Sequence, residues 1–492
     1  MSLINISDLT FCYEGSFDNI FENVSFQIDT DWKLGFTARN GRGKTTFLNL
    51  LLGKYEYRGT ITKSVSFDYF PFVIEDKTQD TINIFENIAG REKTWELKRE
   101  LSAMEVPEEV LYRSFETLSN GERTKVLLAA LFLKDNSFLL IDEPTNHLDM
   151  NARRLVSRYL NTKKGFILVS HDRVFLDSCI DHILSINKTN IEIQKGNFSS
   201  WYNNKKLRDE YELQKNEKLK KDIRRLDAAV ERACAWSDKA EKAKFGERNS
   251  GLRPDRGYIG HKAAKMMKRS KTIENRKLSA AREKSGLLGN IENVESLKLR
   301  PLQYFTNRLV SLKDVSVFYG DKCVCQNVGF TIEEGDRAVL CGKNGSGKTS
   351  LLKLICGEKI EHSGEVNRGN NLIVSYVPQD ASYLAGDLSE FAASRGIDES
   401  LLKAILRKLD FSRVQFEKDM RDLSAGQKKK VLIAGSLCEK AHLYVWDEPL
   451  NYIDVFSRMQ IEELLRSWPF TALFVEHDSA FIEEVATKKI EL

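Results

Sequence analysis

Two hydrophobic patterns alternate along the chain. Short apolar runs such as WKLGFTA (32–38), SFLLI (137–141), FILV (166–169), RAVLC (337–341), LYVW (443–446) and LFV (473–475) read as buried strands. Two of them, each after a short polar loop, lead into helix-like stretches: TTFLNLLLG after Lys44 and TSLLKLICG after Lys348. A third pattern occupies 201–245, where charged residues surround Leu219, Ile223, Leu226, Val230 and Ala233 at alternating steps of four and three, the seam of a coiled coil. Residues 246–262, GERNSGLRPDRGYIGHK, break it with four glycines and a proline, and AAKMMKRSKTIENRKLSAAREK then returns as a second helix. At 1.5 Å per residue the first helix would be about 70 Å long.

The strand–loop–helix pattern occurs twice, and the repeat runs well beyond it. LTFCYEG near the start matches VSVFYG (315–320), and LSNGERTK (118–125) matches LSAGQKKK (423–430). SFLLIDEPTNHLD (137–149) matches HLYVWDEPLNYID (442–454), and FILVSHD (166–172) matches LFVEHD (473–478), in the same order. Two α/β domains, 1–197 and 305–492, therefore flank a helical hairpin at 198–304 whose tip loop is about 246–262.

The repeated segments carry phosphate chemistry. A loop of the form G-x-x-x-x-G-K-[ST] between a buried strand and a helix wraps phosphates with backbone N–H groups, while its Lys and Ser/Thr reach a phosphate oxygen and Mg²⁺. The second half has it complete as Gly342, Lys343, Asn344, Gly345, Ser346, Gly347, Lys348, Thr349 and Ser350. The first half has Ala38, Arg39, Asn40, Gly41, Arg42, Gly43, Lys44, Thr45 and Thr46, with alanine where the pattern opens on glycine. Tyr13 and Tyr319 stand where an adenine could stack. Acidic residues at the carboxyl end of a buried parallel strand face the ligand crevice. Asp142 and Asp447 are placed to hold Mg²⁺ through water, with Thr45, Thr349 and Gln379 as companions, and Glu143 and Glu448 to polarise the attacking water. His171 and His477, also at strand ends, are placed for the γ-phosphate. Ser119, Gly121 and Glu122, and likewise Ser424, Gly426 and Gln427, open helices whose N-termini suit anions. Alone, a strand-end histidine is a polar cap and an Asp-Glu pair is a turn; their ordered repetition beside two phosphate loops argues for a site.

Composition adds a partner. The net charge of +4 conceals 27 basic against 15 acidic residues between 201 and 300, with 48 against 56 elsewhere. The excess peaks at 244–284, with 13 basic and 4 acidic residues. Such asymmetry points to a nucleic acid or a membrane surface, although a charge run is commonly just a solvated face. No run of 18 apolar residues and no basic-then-apolar leader occurs, and the eight cysteines are scattered, so a cytoplasmic protein without a membrane span is expected. Cys323 and Cys325 read as core thiols rather than a metal site.

The motif set resembles paired ATP-binding-cassette ATPases over nearly all of 1–197 and 305–492. That resemblance implies two P-loop domains in tandem, packed head to tail, with two ATP molecules and Mg²⁺ held between the phosphate loop of one half and the Ser-Gly loop of the other. With the long basic hairpin, the chain resembles the ABC-F family, and GRGKTT, FGERN, MMKRSK, WDEPLNYIDV and EHD resemble its Lsa-type antibiotic-resistance branch. The resemblance implies binding at the E site of the 70S ribosome, contact with 23S rRNA and P-site tRNA, and displacement of lincosamides, pleuromutilins and streptogramin A by the hairpin tip. Lys262, Lys265, Lys268, Arg269 and Lys271 would meet phosphates, and Leu252, Arg253, Pro254 and Tyr258 would form the tip. A general translation factor, the ATPase half of a drug exporter and a repair ATPase are the alternatives. The first half departs from the family pattern at Ala38, at Phe72 where the second half has Gln379, and at Asn120 where glycine is commoner, so its hydrolysis is expected to be the weaker.

Overall fold

The computed structural model describes residues 2–14, 19–72, 74–146, 148–187, 190–212, isolated positions between 214 and 268, 301–466 and 468–492. Its contacts form one unit of Met1–Trp201 with Ser296–Leu492 and another of Tyr202–Glu295.

Within the first unit, two halves repeat one architecture. The first half has an antiparallel sheet of β1 (Leu3–Phe11), β2 (Phe21–Asp29) and β4 (Arg58–Thr62), in the order β2-β1-β4. Its larger sheet, in the order β5-β6-β7-β3-β8-β9, comprises β3 (Lys33–Thr37), β5 (Ser66–Phe70), β6 (Ser137–Asp142), β7 (Phe166–Val169), β8 (His182–Asn187) and β9 (Asn190–Lys195). All neighbours in it are parallel except β8 and β9. The second half repeats this with β10 (Arg308–Tyr319), β11 (Lys322–Glu333) and β13 (His362–Arg368) as the antiparallel sheet. Its parallel sheet is β14-β15-β16-β12-β17, from β12 (Arg337–Cys341), β14 (Val374–Val377), β15 (Leu443–Asp447), β16 (Ala472–Val475) and β17 (Lys488–Glu491).

The continuous apolar runs fit this placement. Every residue of β7, β15 and β16 is buried, as strands covered on both faces require. One core joins both sheets of the first half through the helix Lys44–Leu51: Ile4 and Ile6 of β1, Leu34 and Phe36 of β3, Phe47, and Leu140 of β6. Because β3 pairs with β7 and β7 with β6, the loops leaving their carboxyl ends open along one edge, and β12, β16 and β15 do the same.

In the second unit residues 202–212 are helical, and Lys265 and Lys268 are helical and exposed. The expected seam residues Leu219, Ile223, Leu226, Val230 and Ala233 lie outside the described residues. So do Lys262, Arg269 and Lys271, and the tip residues Leu252, Arg253, Pro254 and Tyr258. Among the described residues no helix is long and apolar enough to cross a membrane.

Candidate nucleotide sites

Each phosphate loop turns on two left-handed glycines, Gly41 (φ 79°) and Gly43 (φ 89°) in the first half, Gly345 (φ 82°) and Gly347 (φ 86°) in the second. Lys44 Nζ donates to Ala38 O at 2.8 Å, and Lys348 Nζ to Gly342 O at 2.9 Å and Lys343 O at 2.8 Å. Neither Ala38 nor Gly342 has positive φ, and Ala38 is buried in the core, so the missing glycine costs the first loop no backbone strain. Asn120 is equally benign: it and Ala425 are first residues of helices, Asn120–Phe132 and Ala425–Cys438, where no left-handed geometry is needed. Ser119 and Ser424 cap those helices, each in a reciprocal pair with Glu122 or Gln427. Tyr13 and Tyr319 are exposed, and their hydroxyls meet Thr46 Oγ1 at 2.8 Å and Ser350 Oγ at 3.2 Å, leaving the rings beside the loops.

The two acidic centres differ. In the second half both carboxylate oxygens of Asp447 are buried and complete no hydrogen bond among the described residues. Burial raises its carboxyl, opposed by the neighbouring Thr349 hydroxyl. In the first half, Tyr69 donates its hydroxyl to Asp142 Oδ2 at 2.8 Å. Glu143 and Glu448 both adopt left-handed backbone, φ 49° and 45°, with their amides bonded to Val169 O and Val475 O. Burial and the charge of Asp142 push the Glu143 carboxyl up to about 8. Glu448 Oε2 instead accepts from Gln379 Nε2 at 2.8 Å and Asn451 Nδ2 at 2.5 Å. Phe72, the counterpart of Gln379, is 41% exposed and offers no such donor. The Nε2 atom of His171 lies 3.4 Å from Glu143 Oε1, and that of His477 lies 3.8 Å from Glu448 Oε1. Burial drives the His171 imidazole well down and His477 to about 4, so both are neutral at pH 7.

The halves meet across these loops. Asn40 Nδ2 donates to Tyr452 O at 3.2 Å, and a Cβ added at Gly426 would lie 2.2 Å from that oxygen and 3.1 Å from Asn40 Nδ2. The first phosphate loop therefore abuts the second Ser-Gly helix, with a further ion pair between Arg39 and Asp410. Reciprocally, a cavity of about 370 Å³ is lined by Lys348, Thr349, Gln379, Glu448 and His477 on one side and Asn120 on the other. Among the described residues no three His, Cys, Asp or Glu side chains are grouped for a metal. A cation beside Asp447 would thus draw further ligands from phosphate and water, the habit of Mg²⁺. The buried Asp447 carboxylate beside Thr349 and the open glycine loops fit MgATP, which when bound supplies the phosphoryl group and the charge that polarises it. Sequence reasoning missed Tyr69, Asn451 and a buried lysine, Lys429; the one available signal was that Lys429 aligns with Thr124 in the repeat.

Residues 21–146 and 325–451 each match the family profile described as ABC transporter. The chain belongs to this family. It is an ABC-type ATP hydrolase with two tandem cassettes, and it resembles the ABC-F branch. It is 27% identical over its whole length, and over 86% of the relative, to the "Ribosome protection protein VmlR" of Bacillus subtilis (strain 168). It is 28% identical over 96% of the chain, and 74% of the relative, to the "ATP-binding protein Uup" of Caulobacter vibrioides. Among solved structures, the cassette pair resembles the complex of archaeal ribosomal stalk protein aP1 and archaeal ribosome recycling factor aABCE1 (TM-score 0.63, 20% identity, 98% of this chain and 87% of that one). It also resembles the structure titled "RNase-L Inhibitor" (TM-score 0.62, 19% identity, 99% and 87%). These structures establish the shared fold.

Proposed function

We propose that this ABC ATPase binds the 70S ribosome in its E-site region and protects translation from lincosamides, pleuromutilins and streptogramin A. The observation that carries the reading is the full-length similarity to a ribosome protection protein, in a chain whose positive charge is concentrated between its cassettes. In this reading Lys44 and Thr45, closed by Ser424 and Gly426, hold one MgATP, and Lys348 and Thr349, closed by Ser119 and Gly121, hold the other. Asp142 and Asp447 serve the cation, Glu143 and Glu448 orient water, and the basic hairpin lies on 23S rRNA near P-site tRNA. ATP closes the cassettes on the ribosome and hydrolysis reopens them.

The double change Glu143→Gln, Glu448→Gln keeps the nucleotide contacts and weakens water activation, so it tests the reading directly. In a sucrose gradient with ATP this variant is expected to travel with 70S particles, and a variant left at the top would sink the proposal. Expression of the wild type in a drug-sensitive cell is expected to raise the inhibitory concentrations of the three drug classes. A second reading is a general factor for stalled ribosomes, since the chain is as similar to a relative named only as an ATP-binding protein; ribosome association without any change in drug susceptibility would favour it.

A further inference from the structure

Lys429, on the helix Ala425–Cys438 that begins with the Ser-Gly loop, is 1% exposed. Its Nζ donates to Pro378 O at 2.7 Å and to Asp447 O at 3.2 Å. An ammonium group is withdrawn from water at a cost that only good hydrogen bonds offset. Here those bonds go to two particular peptides: the residue after Pro378 is Gln379, and the residue after Asp447 is Glu448. The side chains of Gln379 and Glu448 are bonded to each other at 2.8 Å. Lys429 thus fastens the two backbone points from which that amide–carboxylate pair projects. One of those points is under strain, since Glu448 sits at φ 45°.

The first half lacks the whole arrangement. Thr124 stands at the Lys429 position and turns its hydroxyl to Asn120 O of its own helix at 2.9 Å, and Phe72 stands at the Gln379 position. The neighbouring lysines share one contact: Lys125 Nζ donates to Met104 O and Lys430 Nζ to Leu409 O, each at 2.9 Å, and Lys430 adds a buried ion pair with Asp454 at 3.1 Å. The helices share this contact, while the Lys429 position reaches the Gln379 loop and its counterpart Thr124 turns back on its own helix.

We propose that Lys429 is a positioning residue for ATP hydrolysis at the Lys348 site, acting through Gln379 and Glu448 as one unit with them. The proposal rests on hydrolysis at that site and is independent of any ribosomal partner.

The test uses the full chain carrying Glu143→Gln, so that turnover without ribosomes reports the Lys348 site. Lys429→Met, Gln379→Leu and the pair are compared for kcat, KM for ATP and thermal unfolding. Lys429→Met is expected to lower kcat about tenfold while KM stays within about threefold, the pattern of a displaced catalytic group rather than a lost binding contact. The pair is expected to lose no more than about twofold beyond the worse single change, because both remove the same arrangement. Losses that multiply, a KM that rises while kcat holds, or an unchanged kcat would each overturn the proposal. Should Lys429→Met fail to fold, Lys429→Gln retains one donor and enters the same cycle, where multiplying losses are equally fatal. If the Glu143→Gln parent shows no turnover, hydrolysis at the Lys348 site is refuted, and the role of Lys429 with it.

Discussion

Arg153 of the first cassette donates from one guanidinium nitrogen to Asp172 Oδ2 at 3.0 Å and, across the boundary, to the carbonyl oxygen of His477 at 3.2 Å. Its Nε is bonded to Leu148 O at 3.1 Å. One side chain therefore ties the segment before Asp149, the cap of the helix Arg173–Cys179 and the partner cassette's histidine. Burial and the charge of Asp478 already push the Asp172 carboxyl upward, and Arg153 opposes them. Arg153→Ala would leave that carboxylate 4% exposed without its cation, a loss of about 3 kcal/mol. The expected readout is a lower first thermal transition, with Arg153→Lys recovering only part of the loss because it lacks the planar fork.

The two centres should not contribute equally to turnover. Gln379 holds Glu448, whereas Phe72 offers Glu143 nothing comparable. Steady-state ATPase assays of the single variants are expected to show the larger loss for Glu448→Gln than for Glu143→Gln. Equal losses would remove the asymmetry from the account.

Tyr69 makes a separate prediction about the cation. Its hydroxyl occupies Asp142 Oδ2 in the first site, while among the described residues no tyrosine hydroxyl bonds Asp447, which has the Thr349 hydroxyl beside it instead. In a Glu448→Gln background, Tyr69→Phe should lower the Mg²⁺ concentration for half-maximal activity by about fivefold, the equivalent of one hydrogen bond of about 1 kcal/mol. A higher Mg²⁺ requirement would mean that the tyrosine organises the carboxylate instead of competing for it.

The buried histidines give a sign for pH dependence. With its folded value at about 4, below the ordinary 6.5, His477 binds a proton more readily in the unfolded chain. Its contribution to stability is therefore complete above about pH 6.5 and is lost as pH falls toward 4. Thermal unfolding of the nucleotide-free protein between pH 7 and 5 is expected to fall less steeply in His477→Gln than in the wild type.

If the proposed function holds, affinity and drug choice are expected to separate within the basic segment 201–300. Lys265 and Lys268 lie exposed on helix, and charges that meet phosphates position a protein without discriminating. Replacing both by Gln should weaken ribosome pelleting, flatten its salt dependence and lower protection against all three drug classes alike. Changes at Leu252, Arg253, Pro254 or Tyr258 should spare pelleting and alter which drug is resisted. Loss of all resistances in proportion to pelleting would show these four residues to be another anchor.

The sheets, the loop order and the edge on which Asp142, Glu143 and His171 gather were legible because buried parallel strands write continuous apolar runs, and their carboxyl ends carry the chemistry. What escaped depends on conformation or on distant partners. The letters at Ala38 could not say whether glycine's freedom was needed; the φ angle does. Lys429 within KKK reads as a charged helix face, yet its ammonium is buried against two carbonyls. Tyr69 reads as a strand aromatic, and only the pairing of β5 with β6 brings its hydroxyl to Asp142.

Glu143 and Glu448 occupy backbone that resists any residue but glycine, asparagine or aspartate, at a standing cost of about 1 kcal/mol each. Folding alone would favour glycine at both positions, so the side chains held there must serve something other than the fold. The first cassette has Phe72 opposite Gln379, yet its Glu143 has the same left-handed backbone as Glu448. A glutamate held in that geometry beside Phe72 is what a Lys44 site that fires more slowly than its partner would need, so the first cassette is expected to act as the slower clock of the pair.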